Sequence, residues 1–400
     1  MLSEELGVFV EVLGEVDQSH DLALLDIGFG MDSEEDAISG RGANLCAGRC
    51  DQELRWWVDL DMDGGPTDAL PLQFHEELAM QGSATHRTST DFVVTQPLDA
   101  EDAVITTAFR AMVSSTKGVS RGIEMRGQFD AIMESVLPRD NVTFAAGALG
   151  GIPGIWVHPA NARSDEAILH LHGGWFNFGS ANAYRHLVGH IAARAGVRAF
   201  IPDYRLAPEH PFPAATDDVL ACYRGLAGSD VRRIALTGDS AGGNLALGLA
   251  SRVTGEAVST DATLVGVAVL YPVTDLTLSG ATYKTRADAD PWFTHPQVAE
   301  LVHSYLGSAD AKHPLASPLH SQLAGMPPVR IHVGDDEVLL DDSLRYTERA
   351  VTAGVDARLD VWMGMPHGFP GSIGKLKAAA RALDAVGAFL ADRLRAHTRP

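Results

Sequence analysis

Ser240 lies at the centre of the sequence Gly-Asp-Ser-Ala-Gly, residues 238–242, between two apolar segments. Residues 233–237 have the composition of a short buried strand, and residues 243–253 carry leucines in a helical context. A G-x-S-x-G sequence at a strand-to-helix junction forms a sharp turn that exposes the serine hydroxyl. The pattern therefore predicts a nucleophilic serine.

A serine hydroxyl becomes a useful nucleophile only beside a base that an acid orients. His367 is the candidate base, because it follows the apolar segment 357–362 in a glycine-containing loop. The acid is expected in the preceding inter-element loop, residues 334–342, which holds five carboxylates. Asp341 and Asp342 are expected to begin a helix, where carboxylates favour the helix dipole. Residue types alone leave the choice of acid open.

Ester chemistry also needs backbone N–H donors that stabilise a developing oxyanion. Ala241, directly after the serine, is expected to supply one donor. Gly173, Gly174 and Trp175 follow the apolar segment 167–171 and are expected to supply the others. Together these residues predict a site for acyl transfer.

The elements that would position these residues alternate between strands and helices from about residue 111 onward. Such alternation indicates a mostly parallel sheet with helices on both faces, and ligands then bind at the carboxyl ends of the strands. Residues 275–325 interrupt the pattern and predict a cap over that edge. The expected strands are residues 152–158, 167–172, 197–202, 234–237, 264–271, 329–333 and 357–362, and the expected helices include 183–196 and 216–226.

Residues 1–111 differ in charge from the rest of the chain. They hold 23 acidic residues against 5 arginines, a net charge of -18, whereas the remaining residues hold 29 acidic and 26 basic ones, a net of -3. Strand-like runs at residues 7–16, 22–29, 54–62 and 92–97 suit a small β-rich domain. An acidic extension and a module that binds a protein partner remain open alternatives.

Composition excludes several classes of function. A net charge of -21 argues against nucleic acid and anionic membranes as partners. No apolar run is long enough to span a membrane, and the acidic N-terminus does not resemble a signal peptide. Three cysteines cannot form a disulfide framework, so a reducing cytoplasm is expected. Of the three cysteines, Cys46 and Cys50 lack a surrounding set of ligands. We expect no metal and no cofactor.

Taken together, the motifs resemble the bacterial hormone-sensitive-lipase family of α/β hydrolases. The resemblance covers about residues 112–400 and implies an α/β-hydrolase fold with a helical cap from about 112–145 and 275–325. It also implies hydrolysis of short- to medium-chain carboxylic esters. Members of the family often pair through the last strand, so a homodimer is an open alternative for this chain. The motifs are His172-Gly173-Gly174, Tyr204-Arg205-Leu206-Ala207-Pro208-Glu209, Gly238 to Asn244, Gly334 to Asp342 and Pro366-His367-Gly368-Phe369.

Carried onto this chain, the resemblance implies Ser240 as nucleophile, His367 as base and Glu337 as acid. The family acid stands three residues after a glycine and about 30 residues before the histidine, which favours Glu337 over Asp341. Trp175 stands where the family usually has a third glycine, so its indole has to turn away from the oxyanion.

Aromatic residues near these motifs are the candidates for a substrate pocket, although packing inside the cap or core is an equal alternative for several. Tyr204 and Glu209 are also expected to hold the oxyanion loop. The pocket candidates are Phe176, Phe178, Tyr204, Trp292, Phe293 and Phe369.

Two other functions fit the same fold. A lactone hydrolase differs only in the shape of the pocket. A non-catalytic ligand receptor typically lacks the histidine, and this chain keeps all three triad positions, which disfavours that reading.

Overall fold

The structure, a computed structural model, describes residues 92–119, 122–256 and 261–395. Three predicted strands and both cysteines of the acidic segment lie outside these ranges, at residues 7–16, 22–29 and 54–62, Cys46 and Cys50.

Nine strands of the described residues form one sheet, in the order β1-β9-β8-β7-β6-β4-β5-β3-β2. All neighbours pair in parallel except β5 with β3 and β3 with β2, so the mostly parallel sheet predicted above is confirmed. The strands are β1 Val93–Gln96, β2 Val142–Leu149, β3 Ile152–Pro159, β4 Arg163–Leu171, β5 Val197–Pro202, β6 Arg233–Asp239, β7 Thr263–Leu270, β8 Val329–Gly334 and β9 Ala357–Trp362.

Helices cover both faces of this sheet. A side chain at Gly266 of β7 would meet Phe389 and Arg393, whereas Val269, on the opposite face of the same strand, packs against Gly243. The α-helices are α1 Ala100–Val113, α2 Arg126–Glu134, α3 Ala181–Ala195, α4 Ala214–Ala227, α5 Ser240–Gly255, the short α6 Thr282–Thr285, α7 His295–Leu306, α8 Leu340–Thr352 and α9 Lys377–Arg395. Short 3₁₀ turns lie at Ser114–Thr116, Ile123–Met125, Pro318–His320 and Phe369–Ser372.

Local sequence explains where several helices begin and end. Ser180 caps α3 through its side chain, and the helix ends at Gly196 in the left-handed conformation. Thr294 and Gln297 form a capping box at the start of α7. The central strand β4 is buried on both faces along its second half, as expected of a strand inside a parallel sheet.

The sheet begins earlier in the chain than composition suggested. Strand β1 pairs in parallel with β9, and residue 111, the expected domain boundary, falls inside α1. An acidic sequence is compatible with an exposed helix, so charge composition alone does not mark where the sheet begins. We therefore propose that the catalytic domain begins before β1.

Strand β1 also changes the expectation of a dimer. Because β1 pairs with β9, the last strand in chain order is not an edge strand of the described sheet, and β1 lies at that edge instead. At the opposite edge of the sheet, residues 142–145 belong to β2 and pair with β3, so the first cap segment ends before Val142.

No helix in the described ranges has both the length and the apolar character needed to cross a membrane.

Candidate active site

Ser240 occupies the turn between β6 and α5 and has a φ of 53°, a left-handed conformation that side chains rarely adopt. Such a conformation costs about 1–3 kcal/mol and persists only where surrounding structure enforces it. A Cβ atom on Gly242 would lie 1.9 Å from the carbonyl oxygen of Leu171, so only glycine fits at that position. The predicted elbow is thus present, packed against the end of β4.

His367 and Glu337 form a hydrogen-bonded pair. The His367 Nδ1 atom lies 2.7 Å from Glu337 Oε2, and the Gly334 amide donates to Glu337 Oε1 at 2.8 Å. His367 follows β9, and Glu337 follows β8, so two neighbouring strands deliver the pair to the same edge of the sheet. Both carboxylate oxygens of Glu337 are therefore fixed.

Burial raises the pKa of Glu337, while the His367 imidazole and the Gly334 amide act to lower it. The side chain is fully buried. Charges attract each other more strongly in such surroundings than in water. A negative Glu337 would therefore hold the imidazole in one orientation and stabilise its protonated form.

The other candidate acid has different partners. Asp341 accepts a hydrogen bond from the Ala281 amide and forms an ion pair with Arg345 at 2.9 Å. Its neighbour Asp342 accepts the amide of Thr274 at 2.7 Å. Both carboxylates lie in the first turn of α8, as the sequence indicated. Glu337, and not Asp341, is therefore the carboxylate that forms a hydrogen bond with His367.

Three aromatic residues surround His367. The ring of Tyr271, just after β7, lies 4.4 Å from the imidazole centroid, and the ring of Phe293 lies at 5.0 Å. The indole Nε1 of Trp292 donates to the His367 carbonyl at 3.1 Å. The Val273 amide donates to the Ser240 carbonyl at 3.1 Å, so the segment after β7 links the serine turn to the histidine.

The oxyanion loop follows β4, with Gly174 at a φ of 114°. The amide of Gly173, one of the expected donors, is engaged in this structure, where it donates to Asp239 Oδ1 at 3.0 Å. The amides of Gly174, Trp175 and Ala241 donate to no acceptor within the described ranges. Three of the four predicted donors therefore remain available.

Asp239 is a site residue that the sequence reasoning did not single out. It is 4% exposed and accepts both the Gly173 amide and the Tyr184 hydroxyl, the latter at 3.1 Å. A Cβ atom on Gly173 would lie 2.4 Å from this carboxylate. Asp239 thus ties the oxyanion loop to the serine turn, and its place inside the G-x-S-x-G sequence was the available signal.

Arg126 of α2 fixes the far side of the same loop. It donates to the Asn177 and Ala207 carbonyls, each at 2.8 Å, and pairs with Glu209 at 2.7 Å. The Arg126 guanidinium lowers the pKa of Glu209 to about 2. Tyr204 donates to the His172 carbonyl at 2.7 Å, so this stretch holds the loop as expected.

The predicted pocket residues divide into two groups. Phe293 and Trp292 contact His367, and the ring of Phe293 also packs edge to face on the Trp175 indole at 5.5 Å. The rings of the other four candidates pack against residues of the core and the cap. Phe176 stacks on Tyr305, Phe178 on Phe129, Tyr204 on His172, and Phe369 lies against Trp362 in a separate apolar cluster.

In the part of the chain that the structure describes, no three His, Cys, Asp or Glu side chains are grouped as metal ligands.

The chain is similar to known hydrolases. A family described as "alpha/beta hydrolase fold" matches residues 168–371. An acetyl-hydrolase of Streptomyces hygroscopicus is 35% identical over 257 residues, covering 64% of this chain and 83% of the relative. An esterase of Acinetobacter venetianus is 34% identical, covering 52% and 69%.

Solved structures agree. The crystal structure of an esterase from the bacterial hormone-sensitive lipase family superposes with a TM-score of 0.67 at 32% identity, covering 74% of this chain and all of that one. Fold and family match define an α/β hydrolase. The chain belongs to the bacterial hormone-sensitive lipase family of these enzymes.

Proposed function

We propose that this carboxylic ester hydrolase cleaves short- to medium-chain carboxylic esters through an acyl-enzyme on Ser240. The observation that carries the proposal is the hydrogen bond between Glu337 and His367, together with the strained turn at Ser240. The segment after β7 contacts both, through the Val273 amide and the Tyr271 ring. A serine, a base and an acid in this chain order form the machinery of acyl transfer in this fold.

In the proposed reaction, Ser240 Oγ attacks the ester carbonyl while His367 accepts its proton. Glu337 holds the imidazole through Nδ1, which leaves Nε2 for the serine and the leaving alcohol. The amides of Gly174, Trp175 and Ala241 stabilise the oxyanion. His367 then protonates the leaving alcohol and later activates the water that releases the acid.

The preference for short acyl chains is supported by the aromatic wall beside the histidine. Trp175 replaces the usual third glycine and packs on Phe293, which in turn packs on His367. These rings occupy volume next to the proposed oxyanion donors. Relatives named acetyl-hydrolase and ethyl acetate hydrolase are consistent with small acyl groups.

The test is hydrolysis of p-nitrophenyl esters from acetate to palmitate. We expect turnover to peak at short chains and Ser240→Ala to lower kcat by about 10⁴-fold or more. Ser251→Ala is the matched control, since Ser251 lies on the same helix and donates to the Gln322 carbonyl. Unchanged turnover in Ser240→Ala, or a peak at palmitate, would contradict the proposal.

A further inference from the structure

Asp290 is a buried carboxylate outside the proposed triad. It lies in the 275–325 insertion with 0% of its surface exposed. Its Oδ1 atom accepts the amides of Trp292 and Phe293 at 2.8 and 2.9 Å, and its Oδ2 atom accepts the Val338 amide at 2.9 Å. One carboxylate therefore joins the insertion to the loop that carries the acid.

Each of these three amides belongs to a residue in contact with, or adjacent to, the histidine pair. Val338 directly follows Glu337. Trp292 donates its indole N–H to the His367 carbonyl, and the Phe293 ring packs against the imidazole at an interplanar angle of 74°. Asp290 therefore holds the residue that follows the acid Glu337 and the two residues that contact the base His367.

The charge of Asp290 is balanced mainly by these amides. Within the described residues no lysine or arginine is paired with it. Burial raises the pKa of Asp290, whereas the three amides and the nearby His367 act to lower it. A buried carboxylate is costly unless hydrogen bonds satisfy its oxygens, and these three amides supply such bonds.

We propose that Asp290 is a positioning residue for the His367–Glu337 pair. It fixes the acid loop through Val338 and, through Trp292 and Phe293, the carbonyl and the ring of His367. The inference rests on the proposed function, because it assigns the residue an effect that acts through the catalytic base.

A double-mutant cycle with the proposed base tests this idea. We expect Asp290→Asn to lower kcat for p-nitrophenyl acetate by about 10- to 100-fold with little change in KM, because small misplacements of reacting groups cost that much. In a His367→Ala background the same substitution should cost less than about twofold, since the group it positions is gone. An equal loss in both backgrounds, or no loss in either, would overturn the proposal.

Two further variants make the result decisive. Asp275→Asn removes another buried carboxylate of the insertion, one whose partners are Thr277, Ser279 and Arg345, and its effect on kcat should be the same in both backgrounds. Trp292→Phe keeps an aromatic ring but removes the hydrogen bond to the His367 carbonyl. This substitution should lower kcat only where His367 is present. If Asp290→Asn does not fold, the cycle with Trp292→Phe tests the positioning role in its place.

The same cycle separates this inference from the proposed function. If His367→Ala alone leaves kcat unchanged, the proposed mechanism fails. If His367→Ala abolishes turnover while Asp290→Asn and Trp292→Phe do not lower it, only the role of Asp290 fails.

Discussion

At the residue scale, motif spacing predicted which side chains would meet but not every contact they make. The spacing implied by the family resemblance anticipated the pair of Glu337 and His367, whereas chain order alone left five carboxylates open. It did not anticipate that Asp239 would engage the Gly173 amide. A glycine-rich sequence identifies a loop near the oxyanion, whereas the use of each N–H depends on a carboxylate that only the folded chain brings near.

The triad acid gives the prediction at this scale. Glu337→Gln would present an amide N–H₂ to His367 Nδ1 and so favour the wrong tautomer of the imidazole. We expect kcat to fall by about 10³- to 10⁴-fold. Asp341→Asn is the control and should change kcat by less than about threefold, because Asp341 pairs with Arg345. Steady-state hydrolysis of p-nitrophenyl acetate decides, and the reverse ranking would make Asp341 the acid.

At the element scale, hydrophobic patterning identified most strands of the sheet but could not identify their neighbours. Residues 92–97 were expected to form a strand of a separate acidic segment, and the structure places β1 against β9. Strand β2 was not predicted at all. Its exposed side chains and small residues give a weak periodic signal, and pairing with β3 stabilises it.

Proline substitutions in β1 test its role at the sheet edge. Leu359 and Met363 donate their amides to the Phe92 and Gln96 carbonyls, so alternation places the Val94 amide toward β9 and the Val93 amide away from it. Val94→Pro should lower the free energy of unfolding by about 1–3 kcal/mol. It should also promote concentration-dependent association through the freed edge.

Val93→Pro is the matched control, because proline is tolerated where the amide faces away from the sheet. Urea unfolding and light scattering measure the two effects. If the two variants have the same free energy of unfolding and the same molecular mass by light scattering, the pairing of β1 with β9 contributes little to either property.

At the scale of the whole molecule, alternation of strands and helices was enough to predict the doubly covered sheet, since each element must bury one face against its neighbours. The arrangement of the 275–325 insertion was not predictable. Its position depends on individual contacts such as those of Asp290, which have no periodic signature in the sequence.

The buried core also makes global stability depend on pH. Burial lowers the pKa of His332 to about 4, and its Nδ1 accepts the Trp362 indole N–H at 3.2 Å. Between pH 4 and 6.5 the unfolded chain binds a proton that the folded chain does not, so stability rises with pH across this window. On lowering the pH from 7.5 to 5, His332 should cost about 2 kcal/mol.

Urea unfolding at the two pH values checks this contribution. His332→Gln can still accept the indole N–H but does not titrate, so its stability should fall by about 2 kcal/mol less than that of the wild type. His210→Gln, at an exposed position, should keep the wild-type pH dependence. The same fall in all three proteins would exclude His332 as the source.

Catalysis through a covalent acyl group on Ser240 is tested most directly by capture of that group. Mixing enzyme with p-nitrophenyl acetate and quenching in acid within the first turnover should give a burst of nitrophenol equal to the enzyme concentration. Mass spectrometry should find one added acetyl group on the peptide that carries Ser240. A burst that persists in Ser240→Ala, or an acetyl group on a different residue, would contradict the account.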